Sequence, residues 1–270
     1  MPKHILHYLY LLLWPLIVNL LYVNHAHSES YEISPGLYHF NYSEYSTSDK
    51  LLDKETGFLP GIKLAIDYAH NKHRLNLNFA LYDATIDYDG QTQSGQPHTT
   101  NTKTRIIKWG MDFFPNQADY IPGQFFLGIN NWQWDRDILT RDNILGLHEV
   151  YYWAELHLGI RFESEKINEK IFWTELSVLY ISNPKMAIYL SNSKESLYMD
   201  DEPGFRVRVG TKKHITANLD LGVSVHTEYW AFGRSDTIFV SDFFGSPAGL
   251  TEPRSESLHS GIEINLYYNF

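Results

Sequence analysis

Two pairs of side chains in this sequence have the types and the spacing for acid–base chemistry. Asp87 and Asp89 stand two residues apart in "IDYDG", and His226 and Glu228 do the same in "SVHTEYW". Residues two apart in an extended chain point to the same side. A histidine beside a carboxylate can act as a general base, and a water molecule between two such pairs could be activated. These four residues are therefore the candidate catalytic set.

The residue types give little support for metal, cofactor or nucleophile chemistry. The chain has no cysteine, and the H-E-x-x-H, glycine-rich phosphate-binding and G-x-S-x-G patterns are absent from the sequence. We therefore expect neither a metal nor a cofactor. Asp135-Arg136-Asp137 is interpreted as a local ion-pair cluster, and His157 as a hydrogen-bonding residue in mid-strand. The formal charge of −10 argues against binding to nucleic acid.

Apolar residues that alternate with polar ones predict the elements that position these side chains. The alternation has the period of a β-strand and not that of a helix, as in "RLNLNFALY" from Arg74 to Tyr82. Ten segments show it, and residues 29–270 are predicted to form one domain. A different division of residues 211–233 would give eight or twelve strands. The ten segments are 36–45, 61–69, 74–82, 104–114, 123–134, 148–162, 171–181, 204–210, 218–230 and 261–270.

The connections between these segments alternate in length. Short ones lie near residue 71 and at 115–122, 163–170 and 211–216, and long ones at about 46–58, 87–101, 135–147, 182–202 and 233–255. Short turns at one end and long loops at the other are typical of bacterial outer-membrane barrels. Beyond residue 28 no apolar run reaches the ~20 residues of a membrane-spanning helix. We predict an all-β, antiparallel transmembrane barrel of about ten strands, with short periplasmic turns and long extracellular loops.

The apolar face of each segment is predicted to contact lipid, and the other face to line a narrow lumen. Bulky aromatic residues cluster at both ends of the apolar faces, as two membrane interfaces require. Glycines fall on the polar faces, where they leave room for inward aromatic rings such as that of Trp153. Charges of both signs share those faces, so that buried charges can pair. The expected lumen charges are Glu155, Arg161, Arg206, Arg208 and Asp220.

The last ten residues, "GIEINLYYNF", alternate up to Phe270. This strand is predicted to close the barrel against the first one, because a free strand edge is not tolerated in lipid. Leu266, Tyr268 and Phe270 resemble the C-terminal signature of bacterial outer-membrane proteins. The resemblance implies that the barrel-assembly machinery reads these residues.

The first residues predict export. One lysine precedes an apolar run from Ile5 to Val23, and Ala26 and Ser28 then offer small residues. Because this is the pattern of a secretory signal peptide, we expect residues 1–28 to be cleaved near Ser28 and the mature chain to reach the cell outer membrane. A retained membrane anchor is the alternative, although Pro15 interrupts the run.

Ten strands with an acidic pair after the third resemble the omptin proteases of the outer membrane. In that family two aspartates face an Asp–His pair across a cleft, and Asp87 and Asp89 match the first pair in type and rough position. The second pair belongs at the top of strand seven, where this sequence reads "YISNPK". His226 and Glu228 lie on strand nine instead. Strict alternation also places Asp87 and Asp89 on the outward side, so the omptin pattern is not matched.

The predicted function is that of an integral outer-membrane barrel with a narrow or plugged lumen, since ten strands with bulky inward side chains leave no room for a general porin channel. Its role would be binding, envelope integrity or small-solute passage, with outer-membrane lipid and lipopolysaccharide as partners. The sequence favours a non-enzymatic role. One alternative is a hydrolase at the rim, either an omptin-like protease or a lipid A-modifying enzyme. Another is a soluble periplasmic barrel that binds lipid inside.

Overall fold

The computed structural model describes residues 28–70, 73–92, 95–115, 123–165, 167, 169–190, 193–241 and 247–270. The predicted signal peptide, residues 1–28, lies outside the described residues except for Ser28, where the first strand begins. In the part of the chain that is described, no helix is long and apolar enough to cross a membrane.

Long strands make up most of the described chain. Ten of them form the barrel: β1 (Ser28–Tyr45), β2 (Leu51–His70), β3 (His73–Gln91), β4 (Pro97–Phe114), β5 (Gln124–Ile138), β6 (Leu147–Glu163), β7 (Lys170–Tyr189), β9 (Pro203–Thr216), β10 (Leu219–Phe232) and β13 (Arg254–Asn269). Three are short: β8 (Lys194–Tyr198), β11 (Ile238–Ser241) and β12 (Pro247–Leu250).

The ten long strands close into a ring of antiparallel pairs. The order is β1 to β7, then β9, β10 and β13. The ring is closed by β13 against β1, with a register that runs from Ser30 opposite Asn269 to Tyr45 opposite Arg254. The predicted ten-stranded antiparallel barrel is confirmed. β8 pairs with the loop end of β7, and β11 and β12 form a separate hairpin.

A belt of exposed apolar side chains surrounds the turn-side part of the barrel. Because such an area is costly in water, the belt is the lipid-facing surface of a membrane barrel. A soluble barrel would hide these residues inside, so that alternative is not supported. Members of the belt on eight of the strands are Ile33, Leu64, Phe79, Leu127, Leu158, Val178, Val223 and Ile264.

The barrel continues well beyond the belt at its loop end, and the predicted bounds of the long loops are therefore wrong. The connections from β1 to β2 and from β3 to β4 are only residues 46–50 and 92–96. In these strand extensions the outward residues are polar and the inward ones are often polar too, so hydropathy does not alternate. On β4, for example, Thr99, Asn101 and Lys103 are exposed, whereas Thr100, Thr102 and Thr104 are buried.

One strand also reverses the predicted faces. On β1 the aromatic side chains of Tyr38, Phe40 and Tyr42 point into the lumen and are buried, whereas His39 and Asn41 face outward. The prediction that the apolar face contacts lipid is wrong here. This part of β1 lies in the extension, where the interior is filled with aromatic rings and the exterior is polar.

Candidate functional site

The barrel lumen contains several layers of side chains in a fixed order from the turn end to the loop end. On β10 the buried Glu228 is followed by Trp230 and Phe232, and on β5 Trp134 is followed by Arg136. Polar and charged groups therefore occupy the turn side. Aromatic rings lie beyond them, and a buried arginine lies beyond the rings.

The turn end holds an open polar chamber of about 220 Å³. Arg161 and Arg208 both reach Glu175 there, with N–O distances of 2.8 and 3.2 Å, and Arg208 also lies 3.6 Å from Glu263. Asp220, at the start of β10, lies 2.6 Å from the Nδ1 atom of His214. Every one of these charges has a partner of opposite or complementary type.

The middle of the lumen is crossed by an ion layer, which consists of Lys108, Glu155, Arg206 and Glu228. The guanidinium of Arg206 contacts both carboxylates and lies 2.6 Å from Glu155. The Nζ atom of Lys108 lies 3.7 Å from Glu228 and 4.0 Å from Glu155. Glu155 is fully buried, so its charge depends on these partners.

His157 lies beside the ion layer, where its Nε2 atom is 2.6 Å from Asp112 and its Nδ1 atom is 3.1 Å from Glu155. A buried imidazole between two carboxylates orients both of them. This agrees with its interpretation as a hydrogen-bonding residue in the lumen.

Glycines make room for rings at two levels of the lumen wall. A Cβ atom on Gly61 would overlap the ring of Tyr82, and one on Gly210 would overlap the indole of Trp173. These inward rings lie flat on bare backbone of the neighbouring strand. The bias of glycine toward the polar faces therefore has a steric cause.

The aromatic layer closes the lumen beyond the ions. It consists of Phe40, Trp134, Trp153, Trp230 and Phe232, each at most 4% exposed. The Phe40 and Trp134 ring centroids are 5.2 Å apart, and those of Trp153 and Trp230 are 5.0 Å apart. Trp134 on β5 also contacts Trp230 on β10, at 6.4 Å. Because β10 is the fourth strand from β5 around the ring of ten, these contacts reach across the lumen.

An arginine with an excess of acids lies beyond the aromatic layer. We call it the Arg136 cluster, and its members are Arg136, Glu44, Asp53, Glu55, Glu149 and Glu252. The guanidinium lies 2.5 Å from Glu55, 2.6 Å from Glu149, 2.9 Å from Glu44 and 3.0 Å from Asp53. All these residues are at least nine-tenths buried.

The Arg136 cluster lies outside the belt, in the polar-walled extension, and its acids are strongly perturbed. Burial, helped by the charge of Asp53, raises the pKa of Glu44 to about 8. Burial also raises the pKa of Asp53 to about 6, against the opposing effect of Arg136. Burial and the charges of Glu44 and Glu149 raise the pKa of Glu252 well above its ordinary value. The cluster therefore holds protons at neutral pH.

Glu252 belongs to a cap over the loop end of the barrel, which consists of residues 233–241 and 247–253. Leu250 is buried in the aromatic core, and Ile238 and Val240 pack against that core. The Ser235 hydroxyl accepts a hydrogen bond from the backbone N–H of Glu252 at 2.8 Å. The apolar contacts thus seat the cap on the core, and the hydrogen bond joins its two segments.

The structure does not bring the candidate catalytic residues together. Asp87 and Asp89 are exposed on the outer wall, where Asp87 accepts a hydrogen bond from Asn101 and Asp89 one from Thr99. Glu228 belongs to the ion layer inside the barrel. His226 and Glu228 do not lie at the rim, because the barrel wall continues beyond them to the aromatic layer and the cap.

His226 faces the lumen, where its ring packs over Gly261 and lies 5.6 Å from that of Tyr38. A general base needs a proton within reach. Because Asp87 and Asp89 lie outside the barrel wall and His226 and Glu228 lie inside it, the two pairs cannot act on one water molecule. The omptin-like alternative is not favoured.

Sequence reasoning missed the Arg136 cluster. Asp135 and Asp137 do not pair with Arg136, because they face outward and lie near His148 and Lys103, at 3.0 and 3.2 Å. The interpretation of Asp135-Arg136-Asp137 as a local ion-pair cluster is therefore wrong, because neighbouring residues in a strand point to opposite faces of the barrel wall. The sequence did contain a signal for the inward position of Arg136, since this residue lies two after the inward Trp134 on the same strand. Among the described residues, no group of three or more His, Cys, Asp or Glu is arranged to hold a metal ion.

Comparisons with known proteins agree with the fold. No protein-family model matches the chain, and no curated protein matches its sequence. The outer membrane protease OmpT from Escherichia coli is similar in structure, with a TM-score of 0.55 and 9% identity over 90% of this chain and 96% of that chain. At this identity the likeness concerns the fold alone. The fold is that of an outer-membrane β-barrel.

Two further solved structures are more distant. The translocator domain of the autotransporter NalP from Neisseria meningitidis has a TM-score of 0.46 and 11% identity, over 95% of this chain and 93% of that chain. The outer membrane protein OprG from Pseudomonas aeruginosa has a TM-score of 0.40 and 10% identity, over 92% of this chain and 98% of that chain. Because both TM-scores are below 0.5, these two likenesses support no conclusion about this chain.

Proposed function

We propose that this protein is an integral outer-membrane barrel with a sealed lumen, whose role is binding at the extracellular end and support of the envelope rather than solute passage. The observation that carries the proposal is the aromatic layer. Its five buried rings come from β1, β5, β6 and β10 and meet across the lumen. No general path for solutes fits between buried rings whose centroids lie 4.8 to 6.4 Å apart.

The ion layer gives the proposal a second support. Lys108 on β4 and Glu228 on β10 meet across the barrel within 3.7 Å, so a solute would also have to separate paired charges. The surfaces left for function are the belt and the extracellular end. The belt contacts outer-membrane lipid, including lipopolysaccharide, and the last strand presents Leu266, Tyr268 and Phe270 to the barrel-assembly machinery.

The location is tested by membrane fractionation combined with gel mobility. The proposal expects the chain in the outer-membrane fraction, with its signal peptide removed, and a mobility that differs between unheated and boiled samples. Recovery as a soluble periplasmic protein without a mobility shift would contradict the proposal.

The sealed lumen is tested by conductance in planar bilayers. The folded wild-type protein is expected to be silent, whereas the double variant Trp153→Ala, Trp230→Ala should show transient conductance because two of the five rings are removed. Trp109→Ala is the matched control, since that indole is 41% exposed on the outer face of β4. Discrete conductance steps from folded wild-type protein would favour small-solute passage instead.

A further inference from the structure

The cap is held on the barrel by a carboxyl group that has no cation of its own. Glu252 is 4% exposed, and none of the described lysines, arginines or histidines forms a salt bridge with it. Its Oε1 atom instead lies 2.7 Å from the hydroxyl of Tyr151 and 3.4 Å from that of Tyr42. The only guanidinium in the cluster is already shared by four other acids.

A count of hydrogens shows what this contact requires. The hydroxyl of Tyr42 lies within hydrogen-bond distance of Glu44 and Glu252, and that of Tyr151 within the same distance of Glu149 and Glu252. A phenol has a single proton to donate. Arg136 already donates to Glu44 and to Glu149, so an ionised Glu252 would have at most these two phenol protons, and it would have no cation to compensate a charge buried beside four other acids.

We propose that the cap is a proton-operated latch, which stays seated while Glu252 is protonated and lifts from the barrel when Glu252 ionises. A protonated Glu252 donates to a tyrosine oxygen and removes one negative charge from the cluster. An ionised Glu252 would be a fifth carboxylate around a single guanidinium, and it gains solvation only by leaving.

The charged and titratable groups around Glu252 belong to the network of hydrogen bonds and ion pairs centred on Arg136. They are Tyr42 and Glu44 from β1, Asp53 and Glu55 from β2, Tyr88 from β3, Arg136 from β5, and Glu149 and Tyr151 from β6. Apart from Arg136, all of them are neutral or acidic. Every acid in this set favours the proton on Glu252 for as long as the cap is seated.

The direction of the pH dependence follows from this arrangement. In the seated cap, Glu252 keeps a proton that a free glutamate releases at about pH 4.5. Seating is therefore strongest in acid and weakens as the pH rises toward the raised pKa of Glu252. For each proton released on lifting, the ratio of lifted to seated cap increases about tenfold per pH unit.

The absence of cysteine allows a clean test. A single cysteine in place of Leu250 lies on the buried side of the cap, and one in place of Phe239, which is 80% exposed, reports the intrinsic pH dependence of the thiol. Both variants of the full folded chain are labelled with a methanethiosulfonate reagent between about pH 5 and pH 9. The ratio of the Leu250→Cys rate to the Phe239→Cys rate is expected to increase more than about tenfold over this range.

The variant Glu252→Gln identifies the titrating group, because it keeps the carbonyl acceptor and cannot ionise. In the Glu252→Gln background we expect the ratio to stay flat. A flat ratio in the unmodified background would overturn the proposal, and so would an equal increase with Gln at residue 252. If Leu250→Cys does not fold, hydrogen exchange of residues 233–241 and 247–253 in the chain without cysteine, with and without Glu252→Gln, distinguishes the same outcomes.

Discussion

The Nζ atom of Lys108 on β4 lies 3.7 Å from Oε2 of Glu228 on β10, although β10 is the fifth strand from β4 around the ring of ten. One side-chain contact thus spans the barrel at the level of the ion layer. Two cations and two acids meet there, so the layer is neutral as long as all four are present.

Replacing Lys108 with Met should lower the free energy of unfolding by about 3–5 kcal/mol, because it leaves two buried carboxylates with one arginine. Adding Glu228→Gln should recover most of this loss, since the layer becomes neutral again. Urea unfolding in detergent micelles measures both effects. Lys103→Met is the control: its exposed partner is Asp137, and the expected loss is below about 1 kcal/mol. Equal losses at the two lysines would show that the layer is not a coupled unit.

Gly210→Ala should destabilise the barrel by about 1–3 kcal/mol, because the new methyl group would push the Trp173 indole off the backbone of β9. Gly249→Ala is the matched control in the cap. A Cβ atom there meets only Thr237, at 3.3 Å, and Phe239. The comparison uses unfolding midpoints of the two variants. A neutral effect at Gly210 would mean that the indole has another place to lie.

The contribution of the Arg136 cluster to the free energy of unfolding should fall as the pH rises from about 5 to 9. Glu44 and Asp53 have raised pKa values of about 8 and about 6 in the folded chain, so they hold protons that the unfolded chain has already released. Stability from these protons is present in acid and is lost as the pH passes the raised pKa values. Unfolding measured at several pH values should give a flatter profile for Glu44→Gln. Asp87→Asn, on the outer wall, should keep the wild-type slope.

Phe270→Ala should reduce the amount of barrel that reaches the outer membrane, with a much smaller effect on the refolded protein. The ring packs 4.8 Å from Tyr31 and 4.9 Å from Tyr268, so the substitution removes two exposed aromatic pairs, each worth about 1 kcal/mol. Quantitative fractionation of cells measures assembly, and unfolding in micelles measures stability. Phe239→Ala removes an even more exposed ring far from the C-terminus and should leave assembly unchanged. Equal assembly of both variants would argue against a signal at residue 270.

The strands themselves were predictable because their determinant is local. Segments such as 74–82 and 261–270 alternate with period two, and lipid on one side of the wall demands apolar residues at every second position. The same reasoning found the inward tryptophans and the glycines beneath the rings. It failed in the extensions, where neither face of the wall contacts lipid and both faces of β4 are polar.

The sequence by itself determined the antiparallel barrel class and the belt, since both depend on residues close together in the chain, whereas the closed ring of the structure settled the strand number at ten. Only the tertiary structure decided which charges meet. Arg136 and Glu44 are 92 residues apart, and Tyr151 and Glu252 are 101 apart. Their contacts depend on the closure of the ring and on the seating of the cap. These contacts cannot be predicted from a local sequence pattern, because the energy of a buried charge is set by all of its neighbours in space.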